Sequence, residues 1–473
     1  MIRLKKDGVG WRLDPEFAPM LDRVLHDAGR IVKHSPAKQV TFHEVDGRNY
    51  YVKRYRNDVA PLRGLKFLFK ASNSRREWDR AVEIQKRGVP IVRHLAFGES
   101  WGPTGLRESI LITEAFDGQS LLEFPRRESA DVQRALGAFV RQMHDRGITQ
   151  FDLAPNILVR EHPLELRRVD VHHAVIKESL SETERLENLA FTHVLLPLSD
   201  DFFSAYGWAG ERAERTLRRS AEVRREFLER RARRCLKRNA EFAPRRLGEL
   251  MWRVRLPLLT PPVEAVLRDP DGFLARRAEI LKPGRSSTVG RGDGFVLKRH
   301  NFRKLGNLFK DLFRSSKGRR GFNKAYHLEL AGVPSARPVA TADERAGGIF
   351  VPRSFFLMEE IPGAQHLGQW QGDAKQAACS LAWLLAKLHN EGFSHRDLKE
   401  TNLVFDHAGK LHVIDLEGLE FMGNVPRERV VADLARLARG AEGLPRFTPA
   451  LRWIFLRRYA RARGGGLRKL LRG

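Results

Sequence analysis

The stretch GFSHRDLKETNLVF, residues 392–405, sets His395, Arg396 and Asp397 side by side and places Asn402 five residues after the aspartate. An apolar run, CSLAWLLAKLH (379–389), precedes it, and VIDLEGL (413–419) follows. The first reads as a helix that ends with Gly392 as its cap, the second as a strand ending on Asp415. Asp397 therefore sits in a polar loop between apolar elements. A carboxylate there can orient a substrate hydroxyl or take its proton. The amide oxygen of Asn402 and the carboxylate of Asp415, brought together, make a hard-oxygen pair that suits Mg²⁺, with water and phosphate completing the shell.

Further upstream, FVLKRH (295–300) alternates as a strand and carries Lys298, a point charge for phosphate oxygens. Just before it, KPGRSSTVGRGDG (282–294) reads as a Gly/Ser hairpin. There Gly284, Arg285, Ser286, Ser287 and Thr288 can turn backbone N–H groups toward phosphates. Glycine-rich hairpin, strand lysine, acidic segment, HRD with an asparagine at +5, and an aspartate after a strand form one ordered set. It is the part list of phosphoryl transfer in a protein-kinase-like fold. Several of these residues also have a plainer reading. His389, His395 and Arg396 read as braces of the loop rather than reacting groups. Asp433, in VVADLARL, reads equally as an anchor for that loop or as an ordinary acid in a helix's first turn.

The set occurs twice. GITQFDLAPNILV (147–159) is a worn copy of the opening stretch. Lys53 and Lys298, Gly118 and Gly363, His144 and His389, Asp152 and Asp397, and Asp170 and Asp415 each stand 245 residues apart. RGVPIVRHLA (87–96) and AGVPSARPVA (331–340) match at an offset of 244. So long a period, met only twice, indicates tandem domains rather than a solenoid. The expected architecture is α+β: two tandem protein-kinase-like domains, 1–243 and 244–473, each with a small β-rich lobe and a larger helical lobe.

On RSST (285–288) with VLKRH, GVPSARPVA, HNEGFSHRDLKETNLVF and IDLEG, the chain resembles the lipopolysaccharide core kinases of Gram-negative bacteria, which phosphorylate heptose or Kdo. The resemblance runs over about 25–235 and 275–445, and the basic stretch RRARRCLKRNAEF (230–242) also resembles the tail of such kinases. It implies ATP and Mg²⁺ as cofactors, a sugar hydroxyl on a lipid A–core precursor as acceptor, and action at the cytoplasmic face of the inner membrane. On this pattern Asp397 and Lys298 are catalytic, Asn402 and Asp415 hold metal, and backbone from Glu359 to Gly363 receives the adenine. Small-molecule phosphotransferases and protein kinases share the layout, so a protein acceptor is an alternative. A pseudokinase pair acting as a scaffold in envelope assembly is another.

Each copy departs from the pattern. In kinases a glutamate on the helix after the lysine strand positions that lysine. The first copy has Glu77 there; the second has Gly321, and Glu329 lies eight residues further on, too far to stand in. Lys298 is thus expected to lack its positioner. In the first copy, Asn156 follows Asp152 at +4, which is expected to displace the metal ligand, and HSPAKQVTFHEVDG (34–47) has no glycine before Gly47. Lys53, Glu77, Asp152, Asn156 and Asp170 nonetheless remain. The first copy reads as degenerate, regulatory or ligand-binding, the second as the catalyst.

The 42% of hydrophobic and 30% of charged residues describe a globular chain. Two cysteines offer no disulfide framework, so a reducing, cytoplasmic setting is expected. MIRLKKDGVGWRLD has no apolar core of signal-peptide length, and the longest apolar runs fall short of the roughly 20 residues of a membrane span. A formal charge of +27 favours a polyanionic partner. No base-reading module is recognisable, which argues against nucleic acid. NFRKLGNLFKDLFRSSKGRR (301–320) carries apolar residues at helical spacing among cations. APLRGLKFLFKASNSRR (60–76) parallels it, and residues 451–473 hold eight basic and no acidic side chains. Such segments can lie on an anionic leaflet, so peripheral membrane association is expected.

Overall fold

The computed structural model describes residues 1–57, 64–284, 286–301, 315–346, 350–441 and 446–465. Arg285, most of the basic-aromatic segment 301–320 and the tail 466–473 lie outside the described residues.

Period-two alternation builds the sheets. In Phe295–Asn301, Leu297 turns into an apolar core with Phe355 and Leu357, while Val296, Lys298 and His300 face the opposite side. The strand pairs antiparallel with Ser287–Gly292 and with Phe350–Glu359, so Lys298 lies opposite Val289 and Phe356. Its counterpart Arg48–Arg56 pairs in the same way and sets Lys53 opposite Val40 and Leu111. Asp46–Gly47 and Asp293–Gly294 close the matching hairpins with both residues at positive φ (55° and 70°, 53° and 80°). That is the conformation a tight two-residue hairpin needs, and Asp-Gly supplies it at little steric cost.

The chain forms two compact units, Met1–Val223 and Arg224–Gly473. Each holds one seven-stranded sheet of identical strand order. In the first unit, from edge to edge, the strands are Ile2–Lys6, Val9–Leu13, His94–Gly102, Gly105–Glu114, Arg48–Arg56, Lys38–Val45 and Arg30–Ser35. In the second they are Phe242–Leu247, Leu250–Arg255, Pro338–Ala346, Phe350–Glu359, Phe295–Asn301, Ser287–Gly292 and Glu279–Lys282.

Two findings here go beyond the sequence reading. The hairpin Phe242–Arg255, at the start of the second expected domain, joins the second sheet, with Trp252 fully buried and Trp11 buried in the corresponding strand of the first. Residues 224–243, read as the end of the first copy, contribute Leu228, Ala232, Cys235 and Phe242 to the apolar core of the second unit.

The larger lobes are helical. Ala130–Asp145, Glu182–Leu195 and Asp200–Tyr206 enclose the core around Leu136, Val140, Leu189 and Phe202. Ala374–Asn390, Arg427–Ala441 and Pro449–Ala462 do the same around Leu384, Leu388, Leu437 and Tyr459. In each unit a helix after the lysine strand starts on a serine cap: Ser72 accepts from Arg75 N–H at 3.0 Å, and Ser316 from Arg319 N–H at 3.2 Å. Among the described residues, no helix is long and apolar enough to cross a membrane.

Candidate active site

Alternation aims Lys298 into a cleft of about 360 Å³ between the sheet and the helical lobe of the second unit. Val289, Val296, Met358, Val404 and Ile414 make its walls apolar, and Lys298, Asn402 and Asp415 gather at its polar end. Lys298 Nζ lies 2.8 Å from Asp415 Oδ1 and 2.5 Å from Glu417 Oε1. Burial works against the ammonium charge, but the two carboxylates outweigh it and hold the Lys298 pKa above its ordinary value. Burial likewise opposes the charge of Asp415, and Lys298 outweighs it, holding the carboxyl below its usual range. Asp415 sits at φ 54°, in the αL region that aspartate tolerates better than most residues with a Cβ. Asp170 repeats it at 51°.

The loop around Asp397 is fastened from beneath. His389, fully buried on its helix, bonds Tyr459 Oη through Nδ1 at 2.6 Å and Asp433 Oδ2 through Nε2 at 3.3 Å. The same Asp433 oxygen accepts the backbone N–H of His395 at 3.0 Å. Of its two sequence readings, Asp433 is the anchor. His395 Nδ1 accepts the N–H of Asp397 at 3.2 Å, which assigns the proton to Nε2, 3.1 Å from the carbonyl of Asp415. One imidazole thus couples the loop to the Asp415 turn. Burial pushes its pKa down, so it serves as a neutral bridge. Asn402 Nδ2 donates to the carbonyl of Asp397 at 2.7 Å, which frees its Oδ1 for another partner. The Asp397 carboxylate is largely exposed and lies 3.0 Å from Lys399 Nζ.

The other expected residues distribute as follows. Glu359 lines the cleft, and the N–H groups of Glu359 and Glu360 donate to Arg337 O and Gly294 O. The hairpin contributes Leu281, Lys282, Val289 and Arg291 to the lining, while Gly284, Ser286, Ser287 and Thr288 stand beyond it. Thr288 alternates to the other face, where its hydroxyl accepts from Arg299 at 3.5 Å. Gly284 comes close to backbone: a Cβ there would meet Ser287 O at 2.6 Å.

Gly321 stands where the first unit has Glu77 on the helix, yet Lys298 has a second carboxylate partner beside Asp415. Glu417, two residues after Asp415, supplies it, and nothing in the motif pattern singled that residue out. Glu329 is taken up by Arg255 at 2.8 and 2.9 Å.

The first unit repeats the frame with altered chemistry. Lys53 pairs with Glu77 at 2.8 Å and with Asp170. His144 bonds Tyr206 Oη and Asn188 Oδ1, with Asn188 in the place of Asp433. Gln150 replaces His395, and its amide holds the Asp152 carboxylate at 3.0 Å. Arg168, fully buried where the second unit has Val413, donates to Gln150. Asn156 Nδ2 still reaches the carbonyl of Asp152 at 2.7 Å, so the +4 spacing leaves this bond in place. The hairpin tip carries Pro36, which has no N–H to offer. Lys38, across the sheet from Tyr55 as Ser287 is from His300, lies near Asp170 and Lys53.

Among the described residues, no group of three or more His, Cys, Asp or Glu side chains is arranged to hold a metal ion. The Asn402–Asp415 pair offers two hard oxygens, one from a carboxylate kept charged, which fits a Mg²⁺ whose remaining ligands are phosphate and water.

Likeness to solved structures is distant. The chain aligns with a structure described as WaaP in complex with acyl carrier protein at 18% identity and a TM-score of 0.34, over 45% of this chain and 98% of that one. Among curated proteins, a 3-deoxy-D-manno-octulosonic acid kinase of Xylella fastidiosa (strain 9a5c) is 31% identical over 122 residues, 25% of this chain and 47% of that protein. Its namesake in strain M12 is 30% identical over the same length. The chain thus spans about half the length of the curated relatives it matches. A family model for lipopolysaccharide kinases (Kdo/WaaP) matches residues 22–200 and again 276–459, so this chain belongs to that family, with its domain present twice.

Proposed function

We propose that the protein is an ATP-dependent phosphotransferase acting on a sugar hydroxyl of the lipopolysaccharide inner core, with the second unit as catalyst and the first as a degenerate partner. The observation that carries this is the convergence of Lys298, Asn402 and Asp415 at the polar end of an apolar-walled cleft, with Asp397 tied to the same network through His395 and Asn402. The apolar walls suit an adenine, whose edge would meet the backbone between Glu359 and Gly363. Lys298 would grip phosphate oxygens. Mg²⁺, held by Asn402 and Asp415, would neutralise phosphate charge. Asp397 orients the acceptor hydroxyl. As the hydroxyl oxygen bonds to the γ-phosphorus, the bond to the ADP oxygen breaks and the hydroxyl proton passes to the Asp397 carboxylate. The first unit's tethered Asp152, Pro36 and Lys38 support its reading as degenerate.

The test is phosphoryl transfer from ATP to a Kdo- or heptose-bearing lipid A precursor. Turnover should fall by about 100-fold or more in Asp397→Ala. Turnover equal to wild type would overturn the assignment. We also propose peripheral association with an anionic membrane. The +27 charge supports it, as do the exposed side chains of Leu68 and Phe69 beside Lys66 and Lys70. A protein that stays in the supernatant with anionic vesicles at physiological salt would sink that part.

A further inference from the structure

Comparison of the two units shows three positions changing together. Where the first has Glu77, Leu111 and His172, the second has Gly321, Phe356 and Glu417. In the first, the carboxylate reaches the strand lysine from the helix Asn73–Lys86, with Glu77 Oε1 2.8 Å from Lys53 Nζ. His172, two residues after Asp170, lies 4.0 Å from Glu77. In the second, the residue two past Asp415 is itself the acid, with Glu417 Oε1 2.5 Å from Lys298 Nζ.

The middle position explains why the exchange is concerted. Leu111 and Phe356 are the cross-strand partners of the two lysines. A Cβ added to Gly321 would meet Phe356 Cδ1 at 3.0 Å, so the larger ring occupies the space through which a helix side chain would run. The grip of the helix on the turn, by contrast, is common to both units. Arg80 donates to the carbonyl of His172, and Lys324 donates to the carbonyls of Leu416 and Glu417 at 3.1 Å each. Only the carboxylate has changed sides.

We propose that Glu417 is the positioning residue for Lys298, doing from the turn after Asp415 what Glu77 does from the helix in the first unit. The inference rests on the second unit being the catalytic one. Lys317 Nζ at 3.7 Å also faces Glu417, as does the His300 ring at 3.5 Å, so the acid sits between two ammonium groups, which favour its charged form. The consequence is mechanical. The lysine's positioner and the candidate metal ligand Asp415 share one short turn, so they are set or disturbed together. A displacement of the helix Lys317–Ala331 acts on Lys298 through that turn rather than by withdrawing a carboxylate.

The experiment compares full-length wild type, Glu417→Gln and the triple variant Gly321→Glu/Phe356→Leu/Glu417→His, which rebuilds the first unit's arrangement. Glu417→Gln should lose roughly 100-fold in kcat, because a lysine free to wander by about an ångström no longer meets the phosphates, with little change in KM for ATP. The triple variant should regain at least about 10-fold of that loss. Wild-type kcat and KM in Glu417→Gln would overturn the proposal, as would a folded triple variant no faster than the single one. Should Glu417→Gln fail to fold, the triple variant carries the test alone, and activity near wild type supports the exchange. A second readout is acylation of Lys298 by an ATP acyl phosphate, which needs no acceptor sugar. If wild type transfers no phosphate, the proposed function fails, yet weaker labelling in Glu417→Gln still supports this inference and equal labelling still refutes it.

Discussion

The carboxylate of Asp433 holds the backbone N–H of His395 at 3.0 Å from a helix 38 residues further along the chain. Its side chain is fully buried, and it also accepts from His389 and Arg436. Burial opposes its charge, but hydrogen bonds from His389, the His395 backbone and Ser394 outweigh burial and keep the carboxyl below its usual range. The loop bearing Asp397 is therefore suspended from a buried anion.

Asp433→Ala should consequently cost roughly 3–5 kcal/mol, since it leaves buried donors without an acceptor. Asp433→Asn, the residue type that Asn188 provides in the first unit, keeps an acceptor and should cost less than half as much. Chemical denaturation with turnover measured in parallel checks both. Equal stability of Asp433→Ala and wild type would refute the anchor.

The two strand lysines should answer to different assays. Glu77 is fully buried, so Lys53→Met strands a carboxylate and should destabilise the first unit by roughly 3–5 kcal/mol, with turnover per folded molecule unchanged. Around Lys298 the partners are about a third exposed (Asp415 35%, Glu417 37%), so water relieves the loss of the lysine and Lys298→Met should leave stability nearly intact. Its turnover should fall by about 100-fold or more. Reversed outcomes would exchange the roles of the two units.

Buried histidines should make the fold less stable on the acid side. Burial lowers His144 and His327 from 6.5 to about 4. The unfolded chain therefore binds more protons between pH 4 and 6.5. Stability rises with pH through that window and is flat just above it. Each such group should cost roughly 2 kcal/mol at pH 5 relative to pH 7.5. His327 packs between Phe393 and Phe421, with ring centroids at 4.7 Å from each, so His327→Leu should remove its share of the slope. Denaturation midpoints at pH 5 and 7.5 decide this, and parallel curves for wild type and His327→Leu would count against it.

The sequence alone determined the architecture and the duplication, and its motifs named Lys298, Asn402 and Asp415, which the fold gathers in one cleft. Alternation around Lys53 and Lys298, the Asp-Gly turns, and the fixed spacing of the histidine, aspartate and asparagine are local patterns. Local patterns survive translation into strands and loops because side-chain direction follows backbone period. Tertiary structure decided what depends on neighbours distant in the chain. Glu417 is invisible as a partner of Lys298 until a strand and a turn over a hundred residues apart are brought together. Asp433 cannot be told from an ordinary helix acid until it is buried under His395. Leu228 to Phe242 cannot be assigned to a unit until their apolar faces find a core. Charge pairing and burial act through space, and sequence spacing carries no measure of that distance.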